Sequence, residues 1–218
     1  MPWALALGRR VDGSPSAAAT NDDPDATVPD RRTLLLVLRP TLVLFAVTMA
    51  GGALMTFAPQ LGFGGLWAAS ALLAVGLTSA LSRWLVGLLA DRHGAERFVT
   101  PLLLVCAAGV TLCALAIVWD RPWLLLLGAL VVGPPYGALQ NLTLVLAFAR
   151  VPAPAIPTAS AVWNIGFDAG TATGSVVVGA LAAAHSFGSA FGAMVVVVLA
   201  ALLLAPKRQT IADSRPSQ

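Results

Sequence analysis

The sequence predicts an all-α membrane protein with six transmembrane helices, from its composition and from its recurring apolar runs. The chain has 218 residues, of which 58% are hydrophobic and 11% charged, whereas a soluble domain usually has about 25% charged residues. Crossing a bilayer takes about 20 mostly apolar helical residues, and runs of that length recur. They lack the alternation of a barrel strand. We therefore expect a multi-pass protein of the cell membrane, surrounded by lipid bilayer.

The elements follow in order. Residues 1–32 form a polar leader, which we expect to be disordered because its prolines, small residues and clustered acids cannot bury a core. The transmembrane domain is predicted at 33–206 and a polar tail at 207–218. The six spans are predicted at 33–58, 66–89, 98–118, 123–148, 158–184 and 187–204.

The basic residues predict the orientation of the chain. Of the 13 Lys and Arg residues, only Arg121 falls in a loop on one side, and all the others fall on the opposite side. The positive-inside rule therefore places both termini in the cytoplasm. Trp67, Trp119 and Trp123 fall at the outer ends of predicted spans, where an aromatic belt lies.

Several functional classes find no support in the residues. The pI of about 9.5 comes from arginines at loop ends, without interleaved aromatics, so we expect no nucleic-acid partner. His93 and His185 fall on opposite sides of the membrane, and no phosphate-binding glycine loop is present. We therefore expect no enzyme, no catalytic residues and no cofactor. Cys106 and Cys113 lack the neighbours of a metal site and are interpreted as small buried residues.

Asp168 is the acidic residue that falls inside a span, near its middle. The other nine of the ten acidic residues lie in the leader, the loops or the tail. A carboxylate at that depth costs several kcal/mol unless it is paired, neutralised or facing water. Two readings stay open: a residue for proton coupling or contact with a cationic solute, or a hydrogen-bonded residue that ties helices together.

The surroundings of Asp168 favour a cavity wall. Asn164, Thr171 and Ser175 lie within about 60° of Asp168 on a helical projection. A stripe of small residues lies on the opposite side and is typical of close helix packing. That stripe comprises Gly166, Gly170 and Gly174.

Two other spans carry polar faces. On the fourth span Tyr136, Gln140 and Thr143 share a face, just after Gly133-Pro134-Pro135. Prolines at that depth indicate either a bend beside a cavity or a structural kink. The first span has a face that fits either a pocket for an amphipathic or apolar solute or helix packing. That face comprises Thr41, Phe45, Thr48, Gly52 and Met55.

The connection between the second and third spans carries a family resemblance. It reads Arg83-x-x-x-Gly87-x-Leu89-Ala90-Asp91-Arg92-x-Gly94-x-x-Arg97. This resembles the loop signature of the major facilitator superfamily, which joins the second and third helices of each six-helix half. Glu96 stands where that pattern has a second basic residue. The run from Asn164 to Gly174 looks like the penultimate helix of bacterial efflux-type members.

The resemblance implies half of a twelve-helix transporter. The chain looks like the carboxy-terminal half, and its leader looks like the cytoplasmic link between halves. Gly87 would then let helices pack closely, and Asp91 would contact a helix of the other half. The implied cytoplasmic gating motif comprises Arg83, Gly87, Asp91, Arg92, Gly94 and Arg97.

The function implied is secondary active transport of a small organic solute by alternating access. By resemblance we expect proton-coupled efflux of drug-like compounds, in the manner of an antiporter, with a second six-helix half or a second copy as partner. The expected proton-coupling or substrate residues are Asp168, Asn164, Tyr136, Gln140 and Thr171. The alternative is a non-transporting fragment or an accessory membrane subunit.

Overall fold

Six long helices make up the fold in the computed structural model, which describes residues 31–206. Within that range there is no strand, and all six helices are long and apolar enough to cross a membrane. They are α1 (Arg31–Phe57), α2 (Gly65–His93), α3 (Glu96–Val118), α4 (Pro122–Phe148), α5 (Ile156–Ala184) and α6 (Phe187–Ala200). Short 3-10 turns occupy Ala58–Gln60, Ala153–Ala155 and Ala201–Leu204. The predicted fold class is confirmed.

The predicted leader and tail lie outside the described residues, apart from Arg31 and Arg32. Those two residues already belong to α1.

The end of α2 differs from the prediction. The helix continues past Leu89 to His93, and Gly94 ends it with a φ of 83° and a hydrogen bond of 2.9 Å from its N–H to the Ala90 carbonyl. Charged residues are tolerated at a helix end that reaches the membrane surface, so the helix continues through them to Gly94, whose positive φ ends it. Most of the predicted loop is therefore helical.

The helices pack around a central pair. α4 lies against α2, α3 and α1, while α1 also lies against α5, and α3 against α6. α1 and α4 are the most buried helices, and α2 and α5 are the least buried. The core between them is filled by large apolar side chains, including Leu44, Leu54, Leu103, Leu125, Leu139 and Phe191.

The glycine stripe of α5 packs on α1, as predicted. A Cβ at Gly166 would overlap the side chain of Thr41, and one at Gly174 would overlap the carbonyl of Met49. Gly170 meets Thr48 and the backbone of Phe45 in the same way. The part of this α1 face that contains Thr41, Thr48 and Gly52 therefore packs against α5, whereas Met55 is exposed.

Candidate functional site

The site is organised by the contact between α2 and α4. A Cβ at Gly133 would overlap the hydroxyl of Thr78, and one at Gly137 would overlap the carbonyl of Ser79. These glycines bring the two helices into backbone contact. α4 continues without a break through Pro134 and Pro135, so the prolines interrupt neither the helix nor this contact.

About one turn further along α4 lie two polar side chains, Gln140 and Asn141. Each forms a hydrogen bond with Arg83 of α2. Asn141 donates a hydrogen bond of 3.0 Å from its Nδ2 to the Arg83 carbonyl. The Arg83 guanidinium donates from Nη2 to Oε1 of Gln140. The backbone and the side chain of the arginine are therefore both fixed by α4.

Gln140 and Tyr136 complete a polar group that we call the Arg83 cluster, made of Arg83, Gln140 and Tyr136. Gln140 is 5% exposed and Tyr136 6% exposed. The Tyr136 phenol lies beside the Gln140 side chain, in a hydrogen-bonding interaction, and near the charge of Arg83. Within residues 31–206, no partner lies in full hydrogen-bond geometry with Nε2 of Gln140. The Tyr136 phenol is therefore the neighbour of this buried amide.

The structure adds an interhelical contact for Arg83, and its assignment to the gating motif stays a prediction. The sequence pattern assigns it to the gating motif with Asp91, but its side chain contacts Gln140 in the interior of α4. Arg83 lies ten residues before His93, which corresponds to about 15 Å along the helix axis. Asp91 lies two residues before that end.

Asp168 is exposed on α5. In the part of the chain that the structure describes, no hydrogen bond or ion pair is recorded for its carboxylate. Asn164, one turn earlier, is also exposed, and its amide donates to the Ser160 carbonyl over 2.8 Å. These two residues form the polar face expected opposite the glycines.

Thr171, three residues after Asp168, lies nearer to α1. Its hydroxyl donates to the Phe167 carbonyl over 3.0 Å, and its methyl and backbone lie against Gly52 of α1. It is half-buried. Thr171 therefore borders both faces of α5: it follows Asp168 by three residues, and its methyl packs in the α1–α5 interface.

α5 is joined to α4 by Trp163, a residue that the sequence reasoning missed. Its indole Nε1 donates to Oγ1 of Thr143 over 3.0 Å, and its ring stacks on Phe167 with the centroids 5.9 Å apart. Thr143 is fully buried. Trp163 falls a few residues inside the predicted span 158–184, and a tryptophan in a span is the signal that could have indicated this contact.

The other motif residues lie at the end of α2 and the start of α3. Asp91, Arg92 and Arg97 are exposed, and Gly94 ends α2. Gly87 is half-buried, with the amide of Asn141 nearby. These residues leave a charged surface open at this end of the bundle.

Glu96, the departure from the motif, contacts a residue of this chain. Its carboxylate lies 3.6 Å from the guanidinium of Arg150, which follows α4. Glu96 is also in the first turn of α3, where a negative charge interacts favourably with the helix dipole. The ion pair links the start of α3 to the α4–α5 connection.

Arg83 and Asp168 are, among the described residues, the charges furthest from any helix end. They lie on α2 and α5, the two least buried helices. A charge at such depth is costly when it faces lipid.

Within residues 31–206, no group of three or more His, Cys, Asp or Glu residues could hold a metal ion.

The chain matches one protein-family model, described as Major Facilitator Superfamily, over residues 5–217. The matched range contains all six helices, the Arg83 cluster and Asp168. No curated protein matches the chain.

Proposed function

Because the chain belongs to the major facilitator superfamily and is a multi-pass membrane transporter protein, we propose that it exports drug-like organic compounds by alternating access. Export is coupled to protons, as in an antiporter. The observation that carries this proposal is the exposed, unpaired carboxylate of Asp168 near the middle of α5.

Asp168 suits proton coupling because protonation removes its charge. An ionised carboxylate at this depth needs water or a cationic partner, whereas the protonated form tolerates an apolar environment. A carboxyl group that alternates between the two can bind a proton on one side of the membrane and release it on the other. Asn164 lies beside it on the same exposed face. Contact with a cationic solute is the other role that such a carboxylate supports.

A second six-helix body completes the transporter in this proposal. α2 and α5 are the least buried helices and carry Arg83 and Asp168, so covering these helices would remove both charges from lipid. The partner is either another chain or a second copy, and the solute cavity lies between the two bodies. Asp91, Arg92 and Arg97 are exposed at the end of α2 and the start of α3, where they would contact the partner and gate the cytoplasmic side.

Flux measurements test the coupling. The protein, purified with any partner that accompanies it, is reconstituted into liposomes, and flux of drug-like compounds is measured under an imposed pH gradient. Asp168→Asn should abolish gradient-driven flux, while Asp168→Glu should retain part of it. Asp120→Asn is the matched control, because Asp120 lies in an exposed turn and its φ of 52° also suits asparagine.

Exchange without a gradient separates the two roles of Asp168. A proton-coupling residue should leave solute exchange intact in Asp168→Asn, whereas a solute-contact residue should lose exchange as well. Gradient-driven flux that Asp168→Asn leaves unchanged would overturn the coupling role. The mass of the purified particle in detergent tests the second body, because a lone six-helix chain that transports would contradict it.

A further inference from the structure

We infer that the transported solute carries a carboxylate and that the Arg83 cluster binds it. This inference rests on the proposed function in so far as the chain transports a solute at all. It assigns the chemical class of the solute and a binding role for a residue that the sequence pattern groups with the cytoplasmic gate.

The first argument is the uncompensated charge of Arg83. A guanidinium stays protonated in proteins. Among residues 31–206, the recorded partners of this arginine are neutral amides: Gln140 at its side chain and Asn141 at its carbonyl. An amide oxygen satisfies a hydrogen-bond donor but does not balance a charge. The compensating anion therefore comes from outside the described chain.

The second argument is that α4 holds the arginine in a fixed position. Gly137 allows the close approach of α2, Asn141 fixes the Arg83 backbone, and Gln140 fixes the guanidinium. An arginine has five N–H donors in a rigid fork, and a carboxylate can accept two of them in parallel. Arg83 as a residue is exposed, so donors remain available for a ligand.

The third argument is the unpaired amide donor of Gln140. Its oxygen is turned toward the guanidinium, which leaves Nε2 buried without a partner. A buried donor without a partner costs free energy. The Tyr136 phenol lies in the same cluster, so the cluster offers a cation with two further polar groups beside it. Because Nε2 is itself buried, an anion would contact the exposed guanidinium, and Gln140 holds that guanidinium in place.

The charge balance indicates the class of anion. The cluster contains one positive charge and no second Lys or Arg, so it matches a singly charged carboxylate better than a doubly charged phosphate monoester. Asp168 lies on α5, and no ion pair joins it to Arg83 in the described structure. The charge of Arg83 is therefore available to bind the solute, and the carboxylate of Asp168 is available to bind the proton.

The test measures binding of benzoate to the purified full chain, with any partner that accompanies it, by equilibrium dialysis in detergent. Benzamide and benzylammonium have nearly the same shape and are the neutral and cationic controls. A small probe suffices because the inference concerns the charged group. We expect saturable binding of benzoate well above that of either control.

Variants then locate the site. Arg83→Gln should weaken benzoate binding at least about tenfold, because hydrogen bonds to charged groups are the strong ones. Arg83→Lys keeps the charge without the fork and should bind with intermediate affinity. Arg121→Gln, at an exposed loop arginine, should bind as the original chain does. Thermal unfolding of each variant confirms that it is folded.

Benzoate binding equal to that of benzamide, or unchanged in Arg83→Gln, would overturn the inference. So would loss of a partner chain from the purified Arg83→Gln particle with benzoate binding retained, because the partner would then supply the anion. Benzoate binding needs no pH gradient. If benzoate binds as expected but solute flux is insensitive to Asp168→Asn, the proton-coupling proposal is contradicted and the carboxylate-binding inference is not.

Discussion

Arg83 on α2 and Gln140 on α4 are 57 residues apart in the chain and are joined by a hydrogen bond from the guanidinium to the amide oxygen. The bond lies about one turn beyond Gly137, where the two helix backbones touch. The position of the charge in the membrane therefore depends on how closely the helices approach.

Gly137→Ala should destabilise the protein by about 1–3 kcal/mol, the usual cost of overpacking. The added Cβ would overlap the Ser79 carbonyl, which is backbone and cannot rotate away. Gly192→Ala on α6 is the matched control, because a Cβ there meets no heavy atom within 4 Å and alanine favours a helix by up to about 1 kcal/mol. Thermal unfolding in detergent is the measurement, and equal midpoints for Gly137→Ala and the original chain would rule out close α2–α4 contact.

Thr143→Val should loosen the attachment of α5 to α4. The change leaves the Trp163 indole N–H without its acceptor, and an unsatisfied buried donor costs about 1–3 kcal/mol. Thr111→Val is the control, because that hydroxyl bonds only to the Ala107 carbonyl of its own helix. If both variants show the same free energy of unfolding in a denaturant titration, the indole bond contributes nothing.

Reversing the charge at position 96 should have a small effect that a second change restores. Glu96→Arg sets two cations against each other at Arg150, and we expect a loss of about 0.2–1 kcal/mol, since the pair is partly exposed. The double variant Glu96→Arg/Arg150→Glu should recover that stability, and salt should reduce the difference. Arg97→Glu provides the control at an exposed neighbour. A double variant no more stable than Glu96→Arg would show that the two side chains do not interact.

Reporter fusions check the predicted orientation in a bacterial membrane. Green fluorescent protein fused after Gln218 should fluoresce, and alkaline phosphatase at the same point should be inactive, because the phosphatase needs the oxidising exterior to form its disulfides. The phosphatase inserted at Asp120 should be active. The reverse pattern of activities would invert the topology and move the motif arginines outside.

Much of the fold could be predicted because each span is a long apolar run, and a bilayer leaves the backbone few alternatives to helix. The polar and glycine faces of α5 also follow from helical spacing within one element. The end of α2 was harder to place, since its charged residues resemble a loop and only the φ of Gly94 shows where the helix stops.

The Arg83–Gln140 contact was beyond sequence reasoning. It joins residues that lie on different helices, and it depends on glycines at a packing interface. Proximity in the sequence favoured grouping Arg83 with Asp91 instead. Thr171 shows the same limitation at smaller scale. It is rotated by about 60° from Asp168 around the axis of α5, and the sequence does not show that α1 packs against this side of the helix.

The separation of Arg83 and Gln140 along the chain also affects how the protein is made. Ribosomes add about 5–20 residues per second, so α2 leaves the ribosome several seconds before the amide that will hold its arginine. During that interval α2 meets the bilayer while the amide that binds Arg83 is still unmade. The contact between α2 and α4 therefore forms only after α4 is made, although α2 alone is long and apolar enough to span the membrane.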